Sequence, residues 1–115
     1  MMTLVFSGGR DYRDVFVVRH ILEAYATDNA QIFVGDCPTG LDAIVRHMRP
    51  DARVFAADWQ TYGRSAGPRR NADMCATAAA AGNAVLFAFP GGRGTASCVA
   101  AARRYGLHIV QLPPR

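Results

Sequence analysis

Lysine is absent from this chain: all 13 basic side chains are arginine. Neither Schiff-base chemistry on a lysine nor a P-loop lysine is therefore available. The 13 basic residues against 9 acidic ones leave a net charge of +4, which permits anionic ligands without demanding nucleic acid. Cysteine is scarce. Cys37, Cys75 and Cys98 form no CxxC pair, and any disulfide scheme leaves one over, which predicts reduced thiols and a cytoplasmic protein. No stretch is apolar and long enough to span a membrane, so no membrane partner is expected. The opening MMTLVFSGGR lacks the charged and apolar regions of a signal peptide and runs straight into a strand. His20, His47 and His108 share no ligand spacing with each other or with cysteine, which argues against a metal site, and no cofactor is expected. No Ser/His/Asp pattern stands out. GxGxxG is missing, which leaves a dehydrogenase using NAD unsupported. There is no linker, repeat or change of composition, so residues 1–115 read as a single domain large enough to bury a core.

What is present is a regular alternation. Thr3–Ser7 is a short apolar run ending in Gly8-Gly9 and reads as a buried strand. Asp14 then fits an N-cap, with Val15, Val18, Ile21, Leu22 and Tyr25 at helical spacing, which predicts a helix over 14–27. Gln31–Val34 is a second strand. The loop GDCPTG leads into a helix at about 40–48 with Leu41, Ile44, Val45 and Met48 on its apolar face. Arg53–Ala57 is a third strand. Residues 58–67 carry turn residues and no period, which reads as a loop. Pro68 suits a first helical turn, and 69–81 are strongly helix-forming until Gly82-Asn83. Ala84–Phe89 is apolar on both faces, which suggests the sheet centre. PGGRGT opens a helix at about 94–105, Leu107–Leu112 is the last strand, and Pro113-Pro114 closes the domain. This β-α-β-α-β-α-β-α-β order predicts an α/β, Rossmann-like three-layer sandwich: about five parallel strands with helices on both faces. Ligands of such sheets bind beyond the carboxyl ends of the strands.

Four segments carry candidate chemistry, and the first three fall at that edge. In Phe89-Pro90-Gly91-Gly92-Arg93-Gly94-Thr95, between a strand and a helix, the glycines allow close backbone approach. The helix start offers free N–H groups to a phosphate, Thr95 a hydroxyl and Arg93 a charge. The alternative is a tight turn and nothing more. In Gly35-Asp36-Cys37-Pro38-Thr39-Gly40, Thr39 is a plausible N-cap. Asp42 would hold a ribose or an ammonium, or merely favour the helix dipole. Cys37 reads as a spectator ahead of a reactive thiol. In Ser7-Gly8-Gly9-Arg10-Asp11, Arg10 would meet a phosphate or base, or simply lie on the surface. The fourth segment carries Asp58-Trp59 and then Gly63-Arg64-Ser65-Ala66-Gly67-Pro68-Arg69-Arg70-Asn71. There Trp59 or Tyr62 would stack on a base, Arg64 and Arg69 hold phosphates, and Asn71 hydrogen-bond a ligand; the competing reading is a packed loop with a solvated charged face.

The order Ser7-Gly8-Gly9-Arg10, Gly40-Leu41-Asp42, Ala57-Asp58-Trp59, Gly63-Arg64, Ala66-Gly67-Pro68-Arg69-Arg70-Asn71 and Phe89-Pro90-Gly91-Gly92-Arg93-Gly94-Thr95 resembles the YspA/YpsA-like branch of the SLOG superfamily. That superfamily is named for SMF/DprA and LOG proteins and is common in bacteria, phages and mobile elements. The resemblance covers nearly the whole chain, and the AGPxRN and PGGxGT segments are its specific parts. It implies a Rossmann-like domain that binds a nucleotide or nucleotide-derived small molecule, in a sensing, sequestering or carrier role. It also implies a homo-oligomer, for which the Ala-rich helix at 72–81 offers a close-packing face, although internal packing explains that face equally well. The LOG branch is enzymatic and removes the base from a nucleoside 5′-monophosphate. LOG enzymes follow PGGxGT with two residues and a catalytic Glu; here, after Ala96-Ser97, that position is Cys98. A thiol does not stand in simply for a carboxylate. If the chain is a hydrolase of an N-glycosidic or phosphoester bond, Asp42, Asp36 or Asp11 must supply the carboxylate, with Asp42 the first candidate. DprA relatives bind nucleic acid, but scattered arginines and a net charge of +4 make a weak case for it here.

Overall fold

Thr3–Ser7 forms β1, Gln31–Gly35 β2, Arg53–Phe55 β3, Ala84–Ala88 β4 and His108–Gln111 β5 in the computed structural model, which describes residues 1–27 and 29–113. The helices are α1 (Val15–Tyr25), α2 (Gly40–Met48), α3 (Trp59–Tyr62), α4 (Ala66–Ala81) and α5 (Arg93–Arg104), with a 3-10 turn at Gly63–Ser65 between α3 and α4. The five strands make one sheet in the order β3-β2-β1-β4-β5, and every pair is parallel. This is the α/β sandwich that the alternation predicts.

The two faces divide the core. Leu4, Phe6, Ile32, Val34 and Phe87 point to one side, where Val18, Ile21 and Leu22 of α1 and Leu41 and Val45 of α2 cover them. Val5, Phe33, Leu86 and Ala88 point to the other, beneath Met74, Cys75 and Ala78 of α4 and Cys98, Val99 and Ala102 of α5. Alternation of side chains along each strand sends successive residues to opposite faces, so a wholly apolar strand is what a doubly covered sheet requires. Phe6 stacks on Phe87 and Phe89 with ring centroids 5.4 and 6.2 Å away, and Tyr12 meets Phe89 edge-on at 5.3 Å. These rings fix the carboxyl ends of β1 and β4 against the start of α1.

Three details depart from the sequence reading. The sheet centre is β1, not β4: all five residues of β1 are buried, and it pairs with β2 through Thr3↔Gln31 and with β4 through Thr3↔Ala84. Apolarity on both faces marks any interior strand, so it does not single out the middle one. Residues 58–67 are not a loop. The Asp58 carboxylate accepts from the Thr61 N–H at 3.1 Å and caps α3, and the 3-10 turn then runs directly into α4 at Ala66. Four exposed helical residues bury nothing, so they leave no apolar period to read. Third, β3 stops at Phe55 because the Ala57 N–H turns to the Asp36 carboxylate at 3.2 Å rather than to the ladder. Asp14 caps α1 as expected, accepting from the Val17 N–H at 3.2 Å. Pro114 of the closing Pro113-Pro114 pair lies outside the described residues.

Candidate functional site

The chain leaves β1 toward β2 and leaves β4 toward β5, so the strand order reverses between β1 and β4. At that switch point the loops after the two strands lie side by side. The Phe89 N–H donates to the Ser7 carbonyl at 2.8 Å, and the Gly9 N–H donates to the Pro90 carbonyl at 2.9 Å, which carries the ladder past the strand ends. This contact needs glycine on both sides. A Cβ on Gly9 would meet the Gly91 Cα at 3.0 Å, and one on Gly91 would meet the Gly9 nitrogen at 2.7 Å.

Above these loops lies a cleft of about 1430 Å³. Gly8, Gly9 and Arg10 line it from the first loop, Asp42 from α2, and Trp59, Arg64 and Asn71 from the segment after β3. Pro90, Gly91, Gly92, Arg93, Gly94 and Thr95 line it from the loop after β4. Of the residues that the sequence singles out for ligand contact, Gly40, Tyr62 and Arg69 are not in the lining. Gly40 has φ +70°, and its missing side chain lets α2 approach the Gly9-Arg10 backbone, so it builds the site from behind. Arg69 faces away: its guanidinium lies over the Tyr62 ring, 4.3 Å from the centroid, and donates to the Ser65 hydroxyl at 3.2 Å.

The two helix starts at this edge differ. At α2 the Leu41 N–H donates to the Gly9 carbonyl at 3.1 Å. The Thr39 hydroxyl, in N-cap position, caps nothing and donates instead to the Arg10 carbonyl at 2.9 Å. At α5 the N-cap is Gly92, no side chain caps the helix and its first turn holds no acidic residue. A Cβ on Gly92 or Gly94 would meet nothing within 4 Å beyond the local backbone, so there is open space beside this helix start, where the first N–H groups have no intrahelical acceptor. The Thr95 hydroxyl below them is buried without a hydrogen-bond partner among the described residues. Arg10, Arg13, Arg64 and Arg93 line the same cleft, all exposed and none ion-paired among the described residues.

Arg70 is the site residue that the sequence reading passed over. Its guanidinium pairs with Asp36 at 2.9 Å, donates to the Phe55 carbonyl at 3.3 Å and reaches the Asn71 amide oxygen at 2.8 Å. It fills the space that a Cβ on Gly35 would occupy, together with the Asp42 carboxylate. The signal for it was periodicity on α4: Gly67, Asn71, Met74 and Cys75 are buried, and Arg70 stands among them while Arg69 lies on the opposite, solvated face. Asn71 is on the cleft wall, but its amide serves the protein. Its oxygen accepts from Arg70, and its nitrogen donates to the Gly94 carbonyl at 3.3 Å and the Ser97 hydroxyl at 3.4 Å. Asn71 thus joins α4 to the first turn of α5. On the neighbouring loop, Arg46 of α2 donates to the Gly35 and Cys37 carbonyls at 3.0 and 2.8 Å.

Asp42 is the buried acid of the cleft, with one carboxylate oxygen 3.2 Å from the Cys37 N–H. Burial raises its carboxyl above the usual carboxylate range, although the Cys37 amide and the Arg70 and Arg46 guanidinium groups draw it down. Cys98 does not reach the cleft. Its thiol is sealed between α4 and α5, 4.0 Å from the Cys75 sulfur, and the hydrogen bond between the two together with burial pushes the Cys75 thiol up. Cys37 is half-buried on the cleft wall. Among the described residues no group of three or more His, Cys, Asp and Glu side chains is arranged to hold a metal ion, and no helix is long and apolar enough to cross a membrane. No protein-family model matches the chain, and no curated protein matches it.

Proposed function

We propose that this chain binds a nucleotide or nucleotide-derived phosphate ligand in the cleft over the β1–β4 switch point, and that it senses, sequesters or delivers that ligand. The start of α5 carries this reading. It has no side-chain cap and no acidic residue in its first turn, it has open space beside Gly92 and Gly94, and Arg10, Arg64 and Arg93, none of them ion-paired among the described residues, line the same cleft. Phosphate oxygens take free N–H groups at a helix start, and guanidinium groups supply the remaining charge. Trp59 on the rim offers a face for a base. The ordered AGPxRN and PGGxGT segments, in their resemblance to SLOG proteins, support the same ligand class.

A thermal-shift screen against nucleoside mono- and diphosphates, with each hit checked by chromatography for breakdown, tests the proposal. A ligand at about 100 times its dissociation constant adds about 2.7 kcal/mol, a shift on the order of 10 °C for a domain of this size. Gly92→Val is expected to abolish that shift. No shift with any nucleotide sinks the proposal.

Asp42 supports a second reading, a nucleotide hydrolase. A carboxyl that burial raises and that borders the ligand cleft has the character of a general acid. On this reading the chromatogram shows released base or phosphate, and Asp42→Asn stops turnover while the thermal shift stays. Intact ligand in every hit leaves the binding role alone.

A further inference from the structure

The cleft exceeds one nucleotide's needs. Its volume of about 1430 Å³ lies above the roughly 300–1,000 Å³ of most small-molecule pockets. It also has an aromatic ring on either side of the sheet crest. Trp59 lies on the α4 side, its ring against Gly67, where a Cβ would stand 3.3 Å from the indole. Phe16 lies in the first turn of α1, the helix that covers the opposite face of the sheet. It too lines the cleft. Phe16 is 73% exposed and Trp59 57% exposed, so neither ring is held by the core. Gly9, Arg10 and Gly91–Gly94 line the same cleft.

A ligand that straddles a switch point places its bridge over the crest and one half on each side. We propose, building on the nucleotide reading of the cleft, that the ligand carries two flat ring systems joined through a phosphate bridge. One ring stacks on Trp59, the other on Phe16, and the bridge lies at the start of α5. Phe16 is then the residue that separates two-ring ligands from mononucleotides. A mononucleotide reaches only one of the platforms while its phosphate stays on the glycine loop, and the other aromatic face remains in water.

The test compares ADP with diadenosine diphosphate, which doubles the adenosine and keeps the diphosphate. Titration calorimetry gives both affinities, and quenching of Trp59, the single tryptophan of the chain, reports stacking at its own platform. Wild type is expected to bind diadenosine diphosphate at least tenfold tighter than ADP, the order of one base–aromatic stack. Phe16→Ala should bring the affinity for diadenosine diphosphate down to that for ADP, and Phe16→Tyr should keep the gap open. Phe16 is exposed, so an unchanged circular dichroism spectrum is expected for both variants. Equal affinities in wild type, or a gap that survives Phe16→Ala, overturn the two-ring assignment and leave the nucleotide reading standing. Binding of neither compound also overturns the two-ring assignment, and the nucleotide reading then falls only if the thermal-shift screen shows no shift with any nucleotide.

Discussion

The helix starts after β2 and after β4 sit on the same edge of the same sheet, and each has Pro, Gly and Thr close around it, within residues 35–40 and 90–95. The first is closed by the protein itself. Leu41 and Thr39 are bonded to the carbonyls of Gly9 and Arg10, and Arg46 holds the loop from behind. The second has no side-chain cap, no acidic residue in its first turn and open space over two glycines. Loop composition therefore does not make an anion site. What separates the two is whether another loop already occupies the donors.

The sharpest way to break this comparison is to load a side chain onto a glycine at each start. Gly40→Val forces a β-branched residue to φ +70° and drives it into the Gly9-Arg10 backbone. It is expected to cost about 3 kcal/mol or more, read as a lower midpoint in urea. Gly92 has φ −102° and open space around it, so Gly92→Val should cost far less stability than Gly40→Val while the ligand-induced shift disappears. Equal destabilisation by the two would erase the distinction.

A smaller effect is expected at the joint between the two starts. Arg70→Met removes the partner of Asp36 and the donor to Asn71, at a cost of roughly 1–3 kcal/mol by chemical denaturation. Because Asn71 also holds the Gly94 carbonyl, ligand affinity should fall with stability. An unchanged affinity would show that the start of α5 stands without this support.

The smallest effect concerns pH. The folded protein holds the Asp42 proton more tightly than the unfolded chain, because burial raises that carboxyl. Between the unfolded and the folded pKa the native state binds more protons, so this group's contribution to stability falls as pH rises through that window and stays lower above it. Asp42→Asn should flatten this part of a melting-point profile against pH. A profile identical to wild type would show that the carboxyl is not shifted.

Much of this was legible in the sequence, and the reasons differ by region. Strand runs such as Thr3–Ser7 and Ala84–Ala88 are legible because burial on both faces leaves Leu4, Val5 and Phe6 of the first and every residue of the second apolar. The α1 cap at Asp14 is legible because capping is a local hydrogen bond. The loop positions that line the cleft follow from topology alone. Arg70 was hidden because its role depends on Asp36 and on the bare Cα of Gly35, both far away in sequence and brought near only by the β2–β3 and β3–α4 turns. The helix over 59–62 was hidden because it packs against nothing that would impose a period. The difference between α2 and α5 was hidden for the same reason as Arg70: the bonds that close the α2 start come from a loop about 30 residues earlier in the chain, as in the Thr39–Arg10 contact.

The place of β1 in the middle of the sheet bears on how the chain is made. Its first neighbour, β2, follows after one helix, but its second neighbour, β4, follows only after β2, α2, β3, α3 and α4. While the ribosome is still producing those elements, the β4 side of β1 has no partner, and Leu4, Val5 and Phe6 stand beside a row of unpaired amides. The sheet closes only when residues 84–88 emerge. The nascent chain is therefore most prone to pair with another copy of itself just before β4 leaves the exit tunnel.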